Sequence, residues 1–338
     1  MATLCCSDLT FDKMKLTKEQ YIPLFHGAVA VTSEDEYTIF RRYAEAQEDY
    51  YEDTNSDFRQ KCRASSGIVL DMISDTKTLS LSCKISRASS RQFYYFDLYV
   101  DGKLFDRKGE DKFTERKPTI TFRLPEGKKR VTLWFPCLFK AAVRAIEIDD
   151  GAYFEPVKKQ KTILCIGDSI THGYDAKYPS NSYPARIARH FDCNMINQGI
   201  GGDVYHVGNL GEGIGFSPDL ITVALGTNDW SNRTKERFDL CVEEFYKKLA
   251  ELYPDTPVAV IIPFWRGNFD RITKVGSFDY AAEKITECAK VNKKLTVIDG
   301  KTLIDHDPKF FSPDVLHPND AGFEMMAERL FPILEKLL

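Results

Sequence analysis

Two residues of this chain, Ser169 and His317, stand in settings where a nucleophilic reaction could be built. Ser169 lies in "ILCIGDSITHG", residues 163–173, where four apolar residues run into glycine, aspartate and serine before a helical segment. A hydroxyl at the carboxyl end of a buried strand sits where open α/β sheets bind ligands. It becomes a nucleophile only when a base takes its proton and a third group holds that base. The histidines are His26, His172, His190, His206, His306 and His317. His317 stands in "SPDVLHPND", residues 312–320, after the last apolar strand and just before the last helix, so its loop leaves the same sheet edge as Ser169. Asp314, on the same tight loop, can reach the imidazole and fix its tautomer. Alone, either motif also reads as a cap or turn; their order and matching strand ends make the combination specific.

Acyl transfer also needs donors for a developing oxyanion, each side-chain donor being worth about 2.7–4 kcal/mol. "INQGIGGDV", residues 196–204, follows the second strand, and Gly202 can present a backbone N–H with no side chain in the way. "LGTNDW", residues 225–230, follows the third, and Asn228 can point an amide into the same crevice. "IIPFWRGN", residues 261–268, follows the fourth, where Trp265 and Arg266 could wall a sugar ring, as could Trp230. Core packing and a surface ion pair are the competing readings of these three. His172, on the opening helical turn, and Asp168 read as structural contacts. Asp203 with His206 offers only two ligands on a glycine-rich loop, short of a metal site. The pair Cys5 and Cys6 lacks a second Cys or His pair at ligand spacing.

These loops require a parallel sheet. After residue 156, apolar strands at 162–166, 193–197, 220–225, 257–262 and 295–299 alternate with helices after Tyr183, over 235–252, over 278–292 and from Asp320, a βα alternation. The earlier half has a different period. From Ala28 to Ile148 short alternating runs such as "YTIFRRY", "GIVLDMI", "TLSLSCKI", "TITFRL" and "RVTLWF" are punctuated by Asp101-Gly102 and Pro125–Gly127, as in hairpins of an antiparallel sandwich. In "FYYFDLY", residues 93–99, half the aromatic side chains should be core and the others could form a glycan platform. The expected division is a β-sandwich over residues 1–155 and an α/β domain over 156–338, joined by the polar stretch around 150–161.

The chain has 338 residues, with 46 Lys plus Arg against 50 Asp plus Glu and a formal charge of -4, spread without blocks. Neither nucleic acid nor an anionic membrane is called for. No apolar run approaches the ~20 residues of a bilayer span. The amino terminus shows no basic segment followed by an apolar one, and the nine cysteines are odd in number and scattered in apolar runs, so cytoplasmic residence with reduced thiols is expected.

Taken together, Ser169 in "GDSITHG", Gly202 in "NQGIGGD", Asn228 in "GTND" and Asp314 with His317 in "DVLHP" resemble the four blocks of the SGNH, or GDSL, hydrolases, in the family's order. The resemblance covers residues 160–338 and implies a flavodoxin-like three-layer fold with five parallel strands. It implies Ser169 as nucleophile and, through its own N–H, as one oxyanion donor. Gly202 and Asn228 would complete the hole, with His317 as base and Asp314 as its orienter. The segments "SSGIVLDMISDTKTLSLSCKI" and "YYFDLYVDG" are similar, more weakly, to the sandwich that precedes this domain in two-domain bacterial esterases, the family-two carbohydrate esterases among them. Some of those work with a Ser–His pair, which leaves the need for Asp314 open. The expected function is cofactor-free, metal-free hydrolysis of short acyl esters, with an acetylated sugar as substrate. A carbohydrate-binding protein on an inactive hydrolase fold, or a lipid or thioester acylhydrolase, is the alternative. Oligomeric state is left open, a homo-oligomer included.

Overall fold

The computed structural model describes residues 12–338; Cys5 and Cys6 lie outside them. Two antiparallel sheets come first. One orders Ala30–Glu34, Tyr37–Arg41, Phe139–Asp149, Thr78–Arg87 and Thr119–Arg123, with Lys13–Lys15 also paired to Phe139–Asp149. The other orders Phe154–Pro156, Val69–Ser74, Lys129–Trp134, Tyr94–Val100 and Lys103–Glu110, with Phe25–His26 paired to Val69–Ser74. Alternate side chains of both, including Leu81, Cys83 and Phe122 from the first and Met72, Phe96 and Leu133 from the second, fill one core. The expected hairpin forms at Asp101-Gly102, where both residues take positive φ (47° and 75°) and close Tyr94–Val100 onto Lys103–Glu110.

Two features of this half depart from a reading of residues 28–148 as short alternating strands. The longest strand, Phe139–Asp149, is rich in alanine, a weak strand former, and carries a register shift between Val143 and Ala145. Helices Glu45–Thr54 and Ser56–Cys62 interrupt the strands; they are polar over most of their surface and bury only Gln47, Glu48, Tyr51 and Cys62. Glu48 is held within this half by Arg41 and Arg63, while Gln47 and Tyr51 reach into the other half of the chain.

There, five parallel strands run in the order Asn194–Gly199, Thr162–Gly167, Leu220–Ala224, Val258–Ile262, Leu295–Asp299. Ile163, Cys165, Met195 and Ile261 turn to the face covered by Tyr183–His190 and Asp320–Leu334. Leu164, Ile166, Ile196 and Val260 turn to the face covered by Lys235–Leu252 and Phe278–Ala289. This is the three-layer α/β arrangement, its second strand outside the first. No helix among the described residues is long and apolar enough to cross a membrane.

Buried polar bonds join the sandwich to the parallel sheet. The fully buried Arg42 donates to the carbonyls of Asn197, Gly199, Lys61 and Ala64. At the amino edge of the sheet, Arg130 and Lys159 both bridge Asp71 to Asp192, with N···O distances of 2.5–2.6 Å. Burial alone would raise the Asp192 carboxyl, but its bonds from Arg130 and Lys159 bring it down to about 2. A carboxyl held below its unfolded value of 3.8 stabilises the fold above that value and loses the contribution as pH falls toward its folded one. The wild-type protein should therefore melt above Asp192→Asn at neutral pH, with the difference closing between about pH 4 and 2 when melting temperature is followed by circular dichroism. A constant difference across that window would show that the network does not act through ionised Asp192.

Candidate active site

The chain turns from Thr162–Gly167 into the four-residue helix Ser169–His172 at Asp168, whose Oδ1 accepts the Ile170 N–H at 3.0 Å. The turn is so tight that a Cβ on Gly167 would lie 2.0 Å from Thr171 Oγ1. Ser169 is thereby held at the carboxyl edge, 6% exposed. Asp168 is the helix cap, buried beneath it; burial pushes its carboxyl up to about 7, against the opposing pull of the Ile170 amide and the His317 ring.

His317 comes from the loop between the last strand and Asp320–Leu334. Its Nε2 lies 2.8 Å from Ser169 Oγ, and its Nδ1 lies 2.5 Å from Asp314 Oδ2. The other Asp314 oxygen accepts the N–H groups of Leu316 and His317, each at 3.0 Å. Burial would raise the Asp314 carboxyl, yet these three bonds hold it well below the usual carboxylate range, so it stays ionised beside the imidazole. Between them Val315 takes φ 50°, a left-handed conformation uncommon for a β-branched residue, with its N–H on the Ser312 carbonyl at 2.9 Å. The fourth-strand loop braces this turn: Gly267 N–H donates to Val315 O at 2.8 Å.

Gly167 is in register with Gly199 on one side and Ala224 on the other, so the segments carrying Gly202 and Asn228 leave the same edge as Ser169. Gly202 is exposed, with φ +93°. Asn228 Nδ2 donates one hydrogen to Asp203 O at 3.0 Å, which fixes the amide and leaves its second hydrogen to be directed elsewhere. Residues distant in sequence hold this loop. Tyr51 donates to Asp203 Oδ2 at 2.9 Å, Lys61 Nζ donates to Gly201 O at 2.8 Å, and Tyr50 stacks on His206. His206 spends both ring nitrogens, one on Asp203 Oδ1 and one on the Asn209 amide.

His172 is fully buried and faces away from Ser169. Its Nε2–H donates to Cys137 O at 3.0 Å, and its Nδ1 accepts the Gly201 N–H at 3.3 Å. Burial first, and the Arg42 guanidinium second, push the ring well below its ordinary value, so neutral His172 links the sandwich to the glycine loop. Sequence reasoning saw a polar contact here without its partners and missed Tyr51, Lys61 and Arg42 altogether.

The expected sugar-stacking residues are partly corrected. Trp230 is 0% exposed, with its indole N–H on Gly276 O and its ring edge-on to Phe278; it anchors a helix and offers no face to a ligand. Arg266 donates to Thr227 Oγ1, Ser231 Oγ and Asn268 Oδ1, which fastens its loop to the helix carrying Asn228. Trp265 is half-buried, with one face stacked on His306 at 4.8 Å. Asp175, Asp314 and His317 place three ligand atoms within 4.8 Å of one another, but Asp314 is committed to His317 and Asp175 to Arg91.

Residues 165–325 match the GDSL-like Lipase/Acylhydrolase family. An acetylxylan esterase of Xylanibacter ruminicola is 29% identical over 228 residues, which are 51% of this chain and 43% of that protein; the chain thus spans less than half the length of that curated relative. Among solved structures, the salicylyl-acyltransferase SsfX3 from a tetracycline biosynthetic pathway superposes with a TM-score of 0.81 at 20% identity over 96% of this chain and 97% of that one. A family two carbohydrate esterase from Clostridium thermocellum, in complex with cellohexaose, gives 0.62 at 20% identity over 81% and 93%. The first shares the fold over 96% of this chain, sandwich included, and the second over 81% of it.

Proposed function

We propose that this chain, which carries a GDSL-type lipase/acylhydrolase domain behind a β-sandwich, is a serine-dependent carboxylic ester hydrolase acting on short acyl groups of acetylated sugars. The observation that carries the reading is the continuous line Asp314–His317–Ser169, with contacts of 2.5 and 2.8 Å. Ser169 Oγ attacks the ester carbonyl as its proton passes to His317 Nε2, and Asp314 retains the Nδ1–H and stabilises the imidazolium. The N–H groups of Ser169 and Gly202 and the free amide hydrogen of Asn228 receive the oxyanion. His317 then protonates the departing alcohol, and water, deprotonated by the same ring, releases the acid.

The sugar acetate is favoured by the acetylxylan esterase relative. The reading divides the chain at residues 155 and 156, with the sandwich lending Tyr51 and Lys61 to the wall of the site. Cytoplasmic residence is part of the proposal, supported by the seven cysteines of the described residues, all buried and unpaired.

The test is acid release from a series of p-nitrophenyl esters and from acetylated saccharides. The groups assigned to the site (Asn228, Asp314, His317) are polar, so little binding energy is expected from a longer chain, although each buried CH₂ could add about 0.8 kcal/mol in an apolar trough. We expect kcat/KM to be highest for acetyl or propionyl and to fall with length. Activity rising through octanoate would replace the sugar-acetate reading with a lipid one; a series with no turnover would favour a binding protein on an inactive fold.

A further inference from the structure

We propose that Arg91, supplied by the sandwich, and Asp175 form a second positioning unit for His317, in which Asp175 backs up Asp314 and Arg91 tempers its charge. This rests on the esterase reading of Ser169 and His317. Asp175 Oδ2 lies 3.8 Å from His317 Nδ1, on the nitrogen that faces Asp314. Arg91 clamps that carboxylate at both oxygens, Nε to Oδ1 at 2.5 Å and Nη2 to Oδ2 at 2.7 Å. The same guanidinium lies 5.0 Å from the centre of the Tyr174 ring, and that ring stacks on His317 with centroids 5.7 Å apart and planes at 28°. Tyr174 belongs to the sandwich core although it follows Ser169 by five residues, and its N–H returns to Ser169 O at 2.9 Å. A Cβ on Gly201 would come within 2.6 Å of its ring. Tyr174 therefore touches both the base and the glycine loop, and Arg91 fixes it from the other half of the chain.

The charges around His317 give this arrangement a consequence. Asp314 faces it from its own loop, Asp175 and Tyr174 from the loop after the Ser169 helix, and Asp168 from the strand end. Arg91 reaches in from the sandwich, and Arg266, from the fourth-strand loop, feels Asp168 and Asp314. When His317 takes the serine proton, a carboxylate 3.8 Å away stabilises the imidazolium. The Arg91 clamp offsets part of that pull while holding the carboxylate within reach of Nδ1.

The test is the pH–rate profile of kcat/KM for p-nitrophenyl acetate in the full chain. Arg91→Gln should move the acid limb up by about 0.5–1 pH unit and Asp175→Asn should move it down, because the first uncovers a negative charge and the second removes one. Arg91→Lys, which keeps the charge, should restore most of the wild-type profile. In the Asp175→Asn background Arg91→Gln should shift the limb clearly less, because no carboxylate is uncovered there. In the Asp314→Asn background Asp175→Asn should cost about tenfold or more at the optimum, against less than about threefold in the wild type, the coupling expected of groups that share one partner. A limb that Arg91→Gln shifts equally in both backgrounds, or in neither, overturns the inference, as does strict additivity of the two aspartate changes. Should Ser169→Ala stay active, the esterase reading itself fails; an inactive Ser169→Ala with unmoved Arg91 profiles defeats only the second unit.

Discussion

Ser169→Ala is expected to lower kcat for ester hydrolysis by about 10⁴- to 10⁶-fold, and His317→Ala by a similar factor. The two changes combined should cost little more than either alone, because in the proposed mechanism nucleophile and base act as one unit and the residual rate belongs to the oxyanion donors and binding. Ser169→Ala should melt at the wild-type temperature. Its hydroxyl bonds only to His317 among the described residues, and the helix that begins there is capped by Asp168. The measurement is steady-state hydrolysis of p-nitrophenyl acetate beside thermal unfolding of the same samples. Most of the activity surviving in a folded variant would remove Ser169 from the mechanism.

Asn228→Ala is expected to lower kcat by about 10²- to 10³-fold with a smaller change in KM, since the bond proposed for it to the substrate oxygen would strengthen only as charge develops. The structure adds a reason for the size of the effect. One amide hydrogen of Asn228 is tied to Asp203 O at 3.0 Å, so the other is aimed before substrate arrives and little reorganisation remains. Asp203 is itself held by Tyr51, so Tyr51→Phe should reproduce a fraction of the same loss by loosening the loop. A change confined to KM in Asn228→Ala would make this residue a substrate contact.

How much of this was legible in the sequence depends on how local the determinants are. The helix Lys235–Leu252 and the strand Leu295–Asp299 have the bounds the apolar pattern indicates, because the helix is amphipathic along its own length and the strand is a short run rich in β-branched residues. Ser169, Asp314, His317, Gly202 and Asn228 stood out because each sits in a short motif at a strand end. The polar helices at 45–62 left no apolar period to read, and their use emerges only where Tyr51 and Lys61 meet a loop far along the chain. Arg91 and Asp175 are separated by 84 residues and belong to different halves, so no spacing relates them. Trp230 misled for the opposite reason: its place beside Asn228 suggested the crevice, but a helix residue's face is settled by what packs on it, here Phe278 and the Gly276 carbonyl. The anchoring of Arg266 to Thr227 and Ser231 was hidden in the same way.

The central claim is that Ser169 carries the acyl group, and a covalent label reads it most directly. Ser169 Oγ should attack the phosphorus of diethyl p-nitrophenyl phosphate as His317 takes its proton, displacing p-nitrophenolate and adding one diethyl phosphoryl group per chain. Mass spectrometry of the digested protein should place that group on the peptide containing Ser169, with activity lost in proportion to labelling and no label on His317→Ala. A label elsewhere, or an unlabelled Ser169 in protein that has lost its activity, would contradict the account.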